Sequence, residues 1–124
     1  MTDIKADKFN YPRQEKLKSK KELAELFDKG KWKTNGSLRI VCHSSAEITH
    51  QKIGVSVSKR NFKKAVDRNR IKRLLREVYR LNKDVYTEAF GSNSISMLFW
   101  VSPERPGTYE EVEQNFLRLC ASKK

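Results

Sequence analysis

The chain has few of the residues that cross-link a fold or carry out acid–base chemistry: of 124 residues, two are cysteine and two are histidine. Cys42 and Cys120 lie far apart with no C-x-x-C spacing, which reads as two small buried hydrophobes in a reducing compartment. His43 and His50 are separated by a probable strand end and a loop, with no third partner to make a catalytic or metal-binding set. The aspartates Asp3, Asp7, Asp28, Asp67 and Asp84 are scattered, and nothing resembles D-x-D or H-E-x-x-H. Gly54 stands without a glycine-rich phosphate loop around it, and there is no internal repeat. No stretch approaches the ~18 consecutive apolar residues of a membrane span. The opening MTDIKADKFNYPRQ lacks the apolar segment of a signal peptide, so the expectation is a cytoplasmic protein with no membrane partner. If chemistry takes place beside this chain, another molecule performs it.

What the chain does have is positive charge. Lys and Arg number 27 against 15 Asp and Glu, a net +12. Between Lys59 and Arg80 stand ten basic residues and two acids, Asp67 and Glu77, a local net of +8. This charge is not carried on a solvated tail. In AVDRNRIKRLLREVYR, Ile71, Leu74, Leu75 and Val78 recur at i, i+3, i+4 and i+7, the stripe of a helix packed on a core. Steps of 100° gather Asn69, Lys72, Arg73, Arg76 and Arg80 on the opposite side, with Arg70 and Glu77 on a flank where Glu77 can pair with Arg73. An ordered cationic surface of this density suits a polyanion, because each neutralised phosphate releases counterions. A lipid surface fits less well, since the aliphatic stripe is committed to a core.

The length predicts one domain able to bury roughly two-thirds of its unfolded surface without a metal or disulfide. Residues 1–18 are expected to form a mobile or extended arm, with Phe9 and Tyr11 as anchors, followed by a single α+β domain over 19–124. A first helix starts at Ser19, where S-x-x-E with Glu22 is a capping box, and Gly30 closes it. Asn35-Gly36 marks a turn before a strand at 38–42, and IGVSVS makes a second strand. In that second strand Ile53, Val55 and Val57 face a core, while Gly54, Ser56 and Ser58 leave space on the other face. The basic helix runs over about 65–81, some 25 Å. ISMLFWV at 95–101 reads as a strand buried on both faces, and T-x-x-E at Thr108 opens a last helix. The expected order is α-β-β-α-β-α, an α+β sandwich with a β-α-β crossover and room for one more short strand near 31–36. Trp32 and Trp100 are assigned structural roles.

Composition does not choose between DNA and RNA. No leucine heptads follow the basic helix, strands flank it on both sides, and VSVS stands where an RRM would place stacking rings. The residues that discriminate are RNRIKRLLRE at 68–77, placed just after IGVSVSKR at 53–60. Together they closely resemble the signature of the bacterial ribonuclease P protein subunit. The resemblance extends to ELFDKG at 25–30, to the late strand and to the closing helix, about residues 15–120 in all. The chain departs from the family at Asn61-Phe62-Lys63-Lys64, where many members have a glycine, and at Leu23, where an aromatic is common.

The resemblance implies a helper protein for a catalytic RNA subunit that removes the 5′ leader of precursor tRNA, one protein per RNA. Magnesium would be held mainly by RNA, with no catalytic residue and no metal on the protein. Arg68, Asn69, Arg70, Lys72, Arg73 and Arg76 would contact the catalytic RNA. Phe27, Ser56, Ser58, Lys59 and Arg60 would line a leader cleft between the sheet and the first helix, Phe27 being equally readable as core. The resemblance also implies a left-handed crossover, against the general right-handed preference. A ribosomal or RNA-chaperone protein, or a nuclease with an unrecognised site, remains an alternative at this stage.

Overall fold

A computed structural model of the chain describes Lys16, Leu17 and residues 19–123. The arm expected over 1–18, with Phe9 and Tyr11, lies outside the described residues except at its end. There the Leu17 amide donates to the Ile53 carbonyl and the Leu17 side chain is buried. The elements are α1 (Lys20–Lys29), β1 (Lys31–Asn35), β2 (Leu38–Ser44), β3 (Lys52–Val57), α2 (Ala65–Leu81), α3 (Lys83–Phe90), β4 (Ser94–Trp100) and α4 (Tyr109–Lys123). Four strands form one sheet in the order β1-β2-β4-β3. β1 and β2 are antiparallel, as are β2 and β4, whereas β3 and β4 run parallel and are joined through α2 and α3.

Local chemistry accounts for most of the boundaries. The Ser19 hydroxyl accepts from the Glu22 amide and starts α1, but the Glu22 carboxylate reaches Lys52 instead of completing the capping box. The box at α4 is fuller: Thr108 Oγ1 accepts from the Glu111 amide, and Glu111 accepts from the Gly107 amide. Gly30 does close α1, with an ordinary negative φ. Its glycine is required by close approach, since a Cβ there would lie 2.6 Å from Val41 Cγ2. Gly36, at φ +58°, makes the tight β1–β2 turn in a conformation that L side chains disfavour.

The sheet has two unlike faces. On one, Leu38, Ile40, Ile53, Val57, Leu98 and Trp100 meet Ile71, Leu75, Val78 and Tyr79 of α2, Tyr86 and Phe90 of α3, and Val112, Phe116 and Leu119 of α4. On the other, a smaller cluster of Leu17, Leu26, Val41 and Ile95 packs α1 against the middle of the sheet. The short strand near 31–36 is present as β1, while α3 is an element the sequence reading did not expect. No side-chain cap opens α3, and Asn82 is both its N-cap and the C-cap of α2. It is held instead by tertiary contacts. Tyr86 is fully buried, its hydroxyl lies 2.9 Å from Ser94 Oγ and 2.6 Å from Ser96 Oγ, and burial pushes its phenol upward. The same bonds satisfy two buried serines in β4.

Candidate nucleic-acid interface

α2 spans the range read from its periodicity, and its two faces separate as expected. Ile71, Leu75 and Val78 are buried, Leu74 is half-buried, and Asn69, Arg70, Arg73 and Arg76 are exposed, with Lys72 partly so. The acids of the region are already engaged. Glu77 takes Arg80, Nε to Oε1 at 3.0 Å and Nη2 to Oε2 at 2.8 Å, and this hydrogen bond holds the Glu77 carboxyl below its ordinary value. The pairing of Glu77 with Arg73 expected from spacing does not form. Helical side chains lean toward the N-terminus, so Arg80 leans onto Glu77 while Arg73 leans away from it. Asp67 is met by Arg105 at 3.4 Å. Arg70, Arg73 and Arg76 are therefore left without an acidic partner among the described residues. Three unpaired guanidiniums on one rigid helix are prepared donors for phosphate oxygens.

Arg68 is arranged differently. Its Nη1 donates to the Phe62 carbonyl at 2.8 Å and to the Lys63 carbonyl at 2.9 Å, folding the side chain back over the segment that leads into α2.

The second surface lies on the α1 side of the sheet. Cross-strand pairing aligns Thr34, Arg39, Phe99 and Ser56 in one row over all four strands. α1 does not cover this row: Thr34 and Arg39 are exposed, and Phe99 and Ser56 half-exposed. Phe27 at 47% exposure and Trp32 at 44% stand beside it. Ring centroids are 5.5 Å apart for Trp32 and Phe99, 5.9 Å for Phe27 and Trp32, and 6.3 Å for Phe27 and Phe99. The Arg39 guanidinium sits 4.4 Å from the Trp32 ring centroid. Lys59 and Arg60 follow in an exposed turn just past β3, closed by the Phe62 amide on the Ser58 carbonyl and the Arg60 amide on Ser58 Oγ.

Several sequence readings change here. The small face of IGVSVS is open only from Ser56 onward, because Gly54 is buried under Leu17 and Met97. The late strand is not sealed on both faces, since Phe99 reaches the open row. Trp100 is structural, 2% exposed with Nε1 donating to the Glu104 carbonyl. Trp32, also read as structural, belongs to the exposed aromatic group together with Arg39 and Phe99, which sequence reasoning did not name. The signal available was KWKTN, an aromatic between two lysines on what proves to be an edge strand. His43 is bound to Glu25 at 3.2 Å, and no group of three or more His, Cys, Asp or Glu among the described residues could hold a metal. No helix among them is long and apolar enough to cross a membrane.

Residues 11–124 match the family model described as Ribonuclease P. The chain belongs to the ribonuclease P protein family. The ribonuclease P protein component of Porphyromonas gingivalis is 33% identical over 110 residues, covering 86% of this chain and 80% of that one. That of Dictyoglomus thermophilum is 38% identical over 96 residues, covering 77% and 73%. In fold the chain is similar to the RNase P proteins of Staphylococcus aureus (TM-score 0.73, 23% identity, 89% and 95% covered) and Thermotoga maritima (TM-score 0.71, 20% identity, 87% and 96% covered). These relatives lend no support to the ribosomal or RNA-chaperone alternative. As a ribonuclease P protein, the chain is the protein part of a ribonucleoprotein endoribonuclease of tRNA processing, and its partner is the RNA subunit.

Proposed function

We propose that α2 docks on the catalytic RNA through Asn69, Arg70, Lys72, Arg73 and Arg76, with Arg68 beside them. In the same complex, the open row of the sheet receives the 5′ leader of precursor tRNA, with one protein per RNA in the cytoplasm. The observation that carries the second half is the exposed group of Phe27, Trp32 and Phe99 beside Arg39 and Ser56, with Lys59 and Arg60 exposed in the turn that follows the strand of Ser56. Aromatic rings bordered by cations form a stacking platform for unpaired bases with no need for sequence readout. The row spans three inter-strand spacings, roughly 14 Å. This accommodates about four bases at the ~3.4 Å rise of a stacked strand. Magnesium, implied for the holoenzyme by the family, would be held mainly by the phosphates of the RNA. This chain supplies charge neutralisation and a seat for the single strand.

The test is binding by the reconstituted RNA–protein complex of a precursor tRNA and the mature tRNA that lacks the leader. Replacing Lys59 and Arg60 together by alanine is expected to weaken the precursor and spare the mature form; equal losses for both would remove the leader from this cleft. In the companion assay at low magnesium, cleavage is expected only when RNA and protein are combined, and cutting by the protein alone would overturn the division of labour.

A further inference from the structure

α2 begins without a side-chain cap, although Asp67 stands in its first turn. Its N-cap is Lys64, which makes no side-chain cap bond and places a positive charge at the positive end of the helix dipole. The Lys64 carbonyl is taken by the amides of Asp67 and Arg68, inside the helix ladder. The two carbonyls before it, of Phe62 and Lys63, face the Arg68 guanidinium, and one nitrogen, Nη1, gives its two hydrogens to them. Phe62 is itself anchored in the core at 6% exposure. Hydrogen bonds then continue outward: the Phe62 amide donates to the Ser58 carbonyl, and Ser58 Oγ accepts from the Arg60 amide. A continuous path therefore runs from the first turn of the basic helix to the exposed turn that bears Lys59 and Arg60.

We propose that Arg68 is a positioning residue: it fixes the 58–64 turn to α2 and thereby aligns the leader-facing cations with the helix seated on the catalytic RNA, while Arg70, Arg73 and Arg76 make the phosphate contacts. The assignment rests on the leader reading above for its functional consequence, though not for the clamp itself. Charge-assisted hydrogen bonds to carbonyls at these distances are strong ones. They take both hydrogens of Nη1 and hold the side chain back over the 62–63 carbonyls, so that only the Nε–Nη2 edge is left to donate elsewhere.

The experiment compares Arg68→Ala, Arg70→Ala and Arg68→Lys in the reconstituted complex, alongside the Lys59/Arg60 double alanine variant. Three quantities are read: the slope of log K against log salt for the catalytic RNA, the precursor-over-mature affinity ratio, and hydrogen exchange of the Phe62 amide in the free protein. Arg68→Ala is expected to leave the slope nearly unchanged, lower the affinity ratio by about fivefold, as coupling residues do, and speed Phe62 exchange. Arg70→Ala is expected to reduce the slope by ~0.7–0.9, one phosphate's worth, and to leave the ratio and the exchange alone. Arg68→Lys keeps a multi-hydrogen donor and is expected to restore much of the ratio and of the protection.

A full one-phosphate fall in slope for Arg68→Ala, with unaltered Phe62 exchange, would overturn the clamp and make Arg68 an ordinary phosphate ligand. An unchanged affinity ratio for Arg68→Ala, when the Lys59/Arg60 variant does lower it, would overturn the coupling while leaving the leader reading intact. If the Lys59/Arg60 variant itself leaves the ratio unchanged, the leader reading fails, and slope and exchange alone decide the clamp.

Discussion

On α2 the exposed basic residues come from one stretch, 70–76, and the helical period alone arranges them. On the open side of the sheet, Phe27, Trp32, Arg39, Ser56 and Phe99 come one each from α1, β1, β2, β3 and β4, and they meet only because the strands pair in the observed register. The first surface is a local property and the second a tertiary one. The difference extends to chemistry. Unpaired guanidiniums contribute through long-range, salt-sensitive attraction to phosphate, whereas the rings act by contact with bases at short range. If both surfaces bind RNA as proposed, they should respond differently to sequence change, to salt and to damage of the core.

That contrast can be broken at its root by Leu75→Ala. Leu75 is fully buried on the core-facing side of α2, and its loss should lower unfolding free energy by about 3 kcal/mol in denaturant titration, weakening both surfaces together. A drop in catalytic-RNA binding with stability unchanged would contradict the core assignment.

The next largest effect is expected from alanine at Arg70, Arg73 and Arg76 together. Affinity for the catalytic RNA should fall with a salt slope reduced by ~2–3, and folding stability should barely move, because none of the three has an acidic partner to lose. A slope reduced by less than one unit would mean that the cationic face is not the docking face.

On the other surface, Trp32→Ala removes the one ring that β1 contributes. Binding of precursor tRNA by the complex should weaken by about 1–3 kcal/mol, with mature tRNA and the salt slope little affected. Equal loss for both tRNAs would return Trp32 to the structural role that sequence reasoning gave it.

The smallest expected change is from Glu77→Gln. The Arg80 hydrogen bond holds the Glu77 carboxyl below 4.5, so its contribution is present above the unfolded value and lost as pH falls through the lowered folded one. The pair is partly exposed, so the neutral variant should lose under about 1 kcal/mol near neutral pH and show a shallower decline in acid. An acid profile identical to that of the parent chain would remove Glu77 from the stability balance.

Legibility in the sequence followed the range of the interactions. Ser19, Thr108, Gly36 and the Ile71-Leu74-Leu75-Val78 stripe act within a few residues, so helix starts, the hairpin turn and both faces of α2 could be read directly. α3 was missed because Tyr86 is held by Ser94 and Ser96 of a later strand, with no cap to announce the helix. The return of the Arg68 side chain onto the Phe62 and Lys63 carbonyls could not be read, because its position in the RNR run says nothing of where its side chain folds.

By itself the sequence determined the elements that depend on local periodicity and capping, the excess of positive charge and its concentration on one helix, and the motif that marks the ribonuclease P protein family. The tertiary structure alone decided which acids neutralise which bases, that Gly54 is covered while Ser56 is open, and that Trp32 and Phe99 stack 5.5 Å apart. The physical reason is that helical period and capping are short-range constraints written in neighbouring residues. Strand register and side-chain contact are set by packing between segments far apart in the chain, where no local pattern records the partner.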